Sequence, residues 1–228
     1  MKLVIFPGSA SPNNSLYRGV YGLIQRRASE FGYSEVDCSL RWPGHFDQNG
    51  KSDSNFITLE GAVAEAGAKI AELERDGQPY HILARSFGNY VAAKTILLAK
   101  PKLVQRLLLW APPPYWVLWR MFVRDERETR QIANEKWLAF DGSFFPSIIP
   151  LETMLPQLEI ECVAATGGAD KYCRFEYLVY LRSLVQRSPF IVRDEVSGAP
   201  HEVHEDLPPA VVDSYLKALL AAPQSGVR

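Results

Sequence analysis

The sequence predicts an α/β fold, a single domain on a mostly parallel sheet of about six strands flanked by helices. Three observations predict it. Short apolar runs begin near residues 2, 34, 80, 105, 159 and 189, each bounded by Gly, Pro or polar punctuation. Helix-patterned stretches separate most of them, and strands alternating with helices imply βαβ crossovers and hence parallel pairing. The chain has 228 residues, 47% apolar and 22% charged, which suits one α/β domain with a substantial core.

Lys2 to Phe6 is the first strand and empties into the loop Pro7-Gly8-Ser9-Ala10-Ser11-Pro12-Asn13-Asn14. Leu16, Val20, Leu23, Ile24 and Ala28 recur at helical spacing and predict a helix from Ser15 to Phe31. Ser34 to Leu40 alternates as a strand and runs into the breaker cluster Arg41-Trp42-Pro43-Gly44-His45. Asp47 to Ser54 is polar loop, and an Ala- and Glu-rich helix follows from Ile57 to Arg75, stopped by Asp76-Gly77. Tyr80 to Leu83 and Gln105 to Ala111 are buried strands, with a helix from Asn89 to Lys100 between them. Ile160 to Thr166 and Phe190 to Val192 complete the strand set. Residues 112–158 interrupt the rhythm: they open on Pro112-Pro113-Pro114 and carry Tyr115, Trp116, Trp119, Phe122, Trp137, Phe140, Phe144 and Phe145.

Bulk properties exclude several classes. With 25 basic and 26 acidic residues there is no surplus charge for nucleic acid or an anionic membrane. Cys38, Cys162 and Cys173 lack the number and spacing of a disulfide framework or a zinc site. The apolar run at the N-terminus is broken by Pro7-Gly8, well short of a signal-peptide core, and no stretch approaches a membrane span. The expectation is a cytoplasmic protein.

Ala84-Arg85-Ser86-Phe87-Gly88 lies directly between a strand and a helix. That is the layout of a nucleophile elbow, in which one strained turn lifts a serine clear of the sheet. Neighbouring backbones crowd there, so the positions two before and two after the serine must be small, and Ala84 and Gly88 satisfy this. Serine is a weak nucleophile without a base, an acid to orient that base, and donors for the oxyanion. Asp170 follows the strand at 160–166 through Gly167-Gly168-Ala169, and His201 follows Ser197-Gly198-Ala199-Pro200 after the last strand. Asp141, in Phe140-Asp141-Gly142, is the reserve acid. Only four histidines exist. His81 lies inside the strand before Ser86, His45 comes out of order, and His204 stands a turn beyond His201 in an acidic stretch.

Serine on a strand-to-helix turn, aspartate after a late strand and histidine in a loop before the last helix is the chain order of α/β-hydrolases. The sequence resembles that superfamily from Met1 to about Ala222. The resemblance implies a serine hydrolase acting on a carboxylic ester or thioester, with Ser86 as nucleophile, Asp170 as acid and His201 as base. It places the Phe87 backbone N–H in the oxyanion hole and draws a second donor, Ser9 or Ala10, from the loop after the first strand. It makes residues 112–158 a cap insertion and implies that the antiparallel strands opening the full superfamily core are missing. Such chemistry requires no metal or organic cofactor; the partner is a small acyl substrate, and an acyltransferase would use the same residues. Two departures stand out: alanine at position 84 where glycine is usual, and Phe6-Pro7-Gly8 in place of the family's His-Gly. The departure at 84 also fits a non-catalytic binding module on the same fold. A rival reading takes Gly8-Ser9 with Asn13, Asn14 and Ser15 as the phosphate loop of a flavodoxin-like FMN reductase.

Overall fold

The computed structural model of the chain describes residues 1–8, 15–43, 58–117, 149–185, 190–196 and 209–220. Six strands form one sheet: β1 (Lys2–Phe6), β2 (Glu35–Asp37), β3 (Tyr80–Arg85), β4 (Val104–Trp110), β5 (Glu161–Gly167) and β6 (Ile191–Val196). Their order is β2-β1-β3-β4-β5-β6, and every neighbouring pair is parallel. A parallel sheet needs both faces covered, which is why β3 is buried at all six positions and β1, β4 and β5 nearly so.

The covering helices are α1 (Ser15–Glu30), α2 (Leu59–Asp76), α3 (Phe87–Ala99), α4 (Leu151–Met154), α5 (Phe175–Leu184) and α6 (Pro209–Leu220), with a 3₁₀ turn at Leu155–Gln157. Local chemistry sets the bounds of α2. The Thr58 hydroxyl accepts the Gly61 N–H at 3.0 Å to cap one end, and Gly77, left-handed at φ 71°, closes the other. Between them Leu59, Ala62, Ala66, Ile70 and Leu73 form the buried stripe. Helix α3 is buried almost all round, including Phe87 to Ala93, because it packs on β1, β3 and β4 with α2 and α4 beside it.

All six expected strands are present, and the described sheet is parallel throughout. Strand β2 is shorter than the expected Ser34–Leu40. The Asp37 side chain accepts the Ser39 N–H at 2.7 Å, and this local turn ends the ladder after three residues. Strand β6 runs to Val196, beyond the expected Val192. The sequence reading did not anticipate α4 or α5. The middle of the expected cap, residues 118–148, lies outside the described residues. Its flanks do not: Pro112, Pro113 and Pro114 are buried, and the Tyr90 hydroxyl of α3 donates to the Pro113 carbonyl at 2.6 Å. Among the described residues no helix is long and apolar enough to cross a membrane.

Candidate active site

The strand order reverses between β1 and β3, where the chain has gone one way to β2 and then crosses to the other side. In open parallel sheets ligands bind outside the carboxyl ends of the strands at such a switch point. Ser86 follows the last residue of β3, and Gly8 lies just past the end of β1. A Cβ placed on Gly8 would stand 3.5 Å from the Ser86 Cβ, so the two turns touch at this reversal.

Ser86 has φ 49° and ψ −119°, a backbone conformation that side-chain-bearing residues rarely adopt. Strain of this kind costs about 1–3 kcal/mol and persists only where neighbours over-determine it. Three hydrogen bonds do so here. The Ser86 N–H donates to the Trp110 carbonyl of β4 at 3.1 Å. The Ser86 carbonyl accepts the Asn89 backbone N–H at 3.0 Å and the Asn89 side-chain amide at 2.8 Å. The same amide reaches the Trp110 carbonyl at 3.2 Å, so a fully buried Asn89 staples the turn to β4. Ser86 occupies the capping position of α3, yet its side chain makes no capping bond to that helix. It is half-buried while Ala84, Arg85, Phe87 and Gly88 around it are buried.

Gly88 is dictated by backbone contact. A Cβ there would fall 2.4 Å from the carbonyl oxygens of both Phe6 and Pro7, a clash with main chain that no rotamer relieves. Ala84 lies inside β3 opposite Phe6, where a methyl group is accommodated in the core. Phe87 is the first residue of α3, where backbone N–H groups point out of the helix end.

Asp170 stands just beyond β5, 4% exposed, with its N–H bonded back to the Gly167 carbonyl at 3.0 Å. One carboxylate oxygen accepts the N–H groups of Tyr172 and Cys173, each at 2.8 Å. The other accepts the Thr166 hydroxyl at 3.2 Å, and that hydroxyl also contacts the Cys173 carbonyl. These bonds fix the orientation of the carboxylate and offset its burial. Asp170 caps a turn and not a helix, because the capping position of α5 is Arg174. The Tyr215 phenol of α6 is pushed up, first by burial and then by the charge of Asp170.

All strands run the same way, so Ser86 and Asp170 share one edge of the sheet with β4 between their strands. Two strand spacings separate β3 from β5 by roughly 10 Å. The chain leaves β6 at Val196, opposite Gly167, on that same edge. His201, the next candidate, lies outside the described residues, as do Ser9, Ala10, Asp141, His45 and His204. His81 is in the first half of β3, at the far end of the strand from Ser86, as expected. Among the described residues no three His, Cys, Asp or Glu side chains gather as a metal site.

Four side chains around the two candidate residues carry no signal in the sequence pattern. Asn89 and Thr166 hold the two candidate residues in place. Arg85 is buried with its guanidinium 5.9 Å from the centre of the Trp110 ring. Trp42 comes from the loop after β2, and its indole N–H donates to the carbonyls of Pro7 at 3.2 Å and Gly8 at 3.0 Å.

No family model matches the chain, and no curated protein sequence matches it. Solved structures do. An extracellular α/β-hydrolase from a Paenibacillus species is 14% identical, covering 96% of this chain and 98% of that one with a TM-score of 0.59. A monoacylglycerol lipase from Paleococcus ferrophilus is 17% identical over 95% of this chain and 94% of its own, with a TM-score of 0.60. A thermophilic esterase from Thermogutta terrifontis is 15% identical over 88% and 82%, with a TM-score of 0.57. What these likenesses establish is architecture: this chain has the α/β-hydrolase fold.

Proposed function

We propose that the protein is a serine hydrolase that cleaves a carboxylic ester or thioester through an acyl-enzyme on Ser86. The observation that carries this reading is the strained backbone of Ser86, held at the switch point with its hydroxyl not spent on capping the helix behind it. The strand order alone does not carry it, since flavodoxin-like sheets share the order 2-1-3-4-5. A flavin site has no use for a strained serine on the turn between β3 and α3. The esterase and the lipase among the similar structures support the class of reaction.

In the proposed mechanism His201 takes the Ser86 proton as the serine oxygen attacks the acyl carbon. The carbonyl electrons move onto oxygen, where the Phe87 N–H and a donor from Ser9 or Ala10 stabilise the charge. Collapse expels the alcohol or thiol, which receives the proton from His201. Water, deprotonated by the same histidine, then attacks the acyl-enzyme and releases the acid. Asp170 orients the imidazole and offsets its positive charge. Residues 112–158 form a cap over this edge, and the domain comprises the whole chain, residues 1–228. The substrate is a small acyl compound; if an alcohol or amine replaces water, the same residues perform acyl transfer.

The test is labelling with a fluorophosphonate, with the adduct mapped by mass spectrometry, beside turnover of an activated ester. The adduct is expected on Ser86. Ser86→Ala is expected to lose labelling and about a millionfold in turnover while keeping its unfolding temperature. A folded Ser86→Ala variant that still turns over ester overturns the reading, and a yellow purified protein with flavin absorbance replaces it.

A further inference from the structure

We infer that Asn89 is a positioning residue for the oxyanion donor of Phe87; the inference rests on the serine-hydrolase reading above. That donor is the N–H of the Ser86–Phe87 peptide, and the carbonyl of the same peptide is what Asn89 holds. Two bonds meet on the Ser86 oxygen, from the Asn89 backbone N–H at 3.0 Å and from its side-chain amide at 2.8 Å. A peptide unit is planar and trans, so its N–H points opposite to its C=O. Fixing the Ser86 carbonyl therefore aims the Phe87 N–H.

The two bonds do different work. The backbone N–H ties the carbonyl to the first turn of α3, which moves with the helix. The amide ties it to the sheet, because the same nitrogen donates to the Trp110 carbonyl of β4 at 3.2 Å. That anchor is itself closely determined. The Trp110 carbonyl also takes the Ser86 N–H at 3.1 Å, and the Ala111 N–H, in the same peptide, reaches the Ala165 carbonyl of β5 at 2.8 Å. Ala111 stands at φ 45°, where a side chain is strained, and directly before Pro112, where extended backbone is the norm. Two strained turns, at Ser86 and at Ala111, are thus joined through one amide. Stability does not account for it. Asn89 is fully buried, and its Oδ1 accepts no hydrogen bond from any described residue, an unmet acceptor that costs free energy. Without the amide both carbonyls keep a backbone donor, Ser86 N–H for Trp110 and Asn89 N–H for Ser86. What the amide alone supplies is the link between them. Oxyanion donors act when aimed at the charge before it forms, and small errors of placement remove much of their effect.

The experiment separates aim from folding. Asn89→Ala removes the amide. Asn89→Ser leaves a hydroxyl that can reach the Ser86 carbonyl three residues back but is too short for β4. Each is measured on an activated ester and on its thionoester, whose sulfur accepts hydrogen bonds weakly, and its unfolding temperature is taken alongside. Both variants are expected to lower kcat for the oxygen ester by roughly 10- to 50-fold with KM little changed, less than the loss of a direct donor. Thionoester turnover should fall far less, so the preference for oxygen over sulfur shrinks, while the unfolding temperature stays close to wild type. Ile96→Ala, which opens a cavity farther along α3, should lower the unfolding temperature and keep the wild-type preference. An unchanged preference in Asn89→Ala, its restoration in Asn89→Ser, or an equal change in Ile96→Ala overturns the proposal. If Ser86→Ala retains turnover, the hydrolase reading itself has failed, which is a separate result.

Discussion

The two ends of β3 make opposite uses of polar side chains. At the N-terminal end His81 is buried, and its Nδ1 sits 2.6 Å from the Tyr33 hydroxyl. Burial, then the charges of Arg106 and the N-terminus, hold its pKa down at about 4. Burial holds the Tyr33 phenol up at about 12, so the hydroxyl donates to a neutral imidazole. Arg106 meanwhile pairs with Glu161 across β4 and β5 at 2.9 Å. At the C-terminal end Ser86 sits on strained backbone, half-buried, with its carbonyl and N–H tied down and its side chain left out of the helix cap. Histidine and serine are both residues of hydrolytic chemistry, yet the first, inside β3, is locked into a buried pair, and the second, on the turn just after it, is held on strained backbone without capping the helix. Residue type does not decide the role; the end of the strand does.

That contrast can be broken by substitution, and Ser86→Ala stands at the top of the series. Next comes Asp170→Asn, expected to keep the fold and lower kcat/KM for an activated ester about ten-thousandfold, by comparison with serine proteases. Asp141→Asn should do far less. A crippled Asp141→Asn beside an active Asp170→Asn would move the acid to the segment after β4.

Gly88→Ala tests whether the strained end is held by backbone fit. Its methyl group must displace the Phe6 or Pro7 carbonyl, so a stability loss of roughly 1–3 kcal/mol is expected in denaturant titration, with reduced turnover in the folded fraction. A variant as stable and as active as wild type would show that the turn is looser than its contacts imply.

The smallest effect belongs to the quiet end. His81 has a folded pKa near 4 against an unfolded value near 6.5, so between these values the unfolded chain binds the additional proton. This contribution to stability is therefore complete above about pH 6.5 and is lost progressively as the pH falls toward about 4. His81→Gln, which still offers Tyr33 an acceptor, should flatten that part of the melting-temperature profile and leave neutral-pH turnover unchanged. A profile as steep as wild type would place the acid sensitivity elsewhere.

The strands and the elbow were legible in the sequence because their signals are local: apolar runs between breakers, and a serine flanked by small residues. Chain order pointed to Asp170, and the structure places it just beyond β5 on a hydrogen-bonded turn, a bond set that depends on Thr166, Tyr172 and Cys173 together. The length of β2 was not, because the Asp37 side chain ends the strand through a turn inside an otherwise strand-like run. Helix α5 was missed because Tyr177, Val179 and Tyr180 spread apolar surface around it, with Val179 and Tyr180 exposed. Asn89 and Trp42 were missed for another reason: the bonds that tie them to other strands and loops go to carbonyls 21 to 35 positions away, and no pattern in a short window reveals such a bond.

The brevity of β2 has a consequence for the protein in concentrated solution. Among the described residues β2 is one border of the sheet and β6 the other. A bare border invites another molecule to add a strand and start a growing aggregate. Here it offers three residues, with Val36 between two acids. Glu35 is paired with Lys2 at 3.1 Å and Asp37 with Lys69 at 2.6 Å, so charge lines the border. A strand added from outside would gain few hydrogen bonds and would have to accommodate these paired, charged side chains. At this border the sheet is in this way kept from stacking edge to edge by its own shortest member.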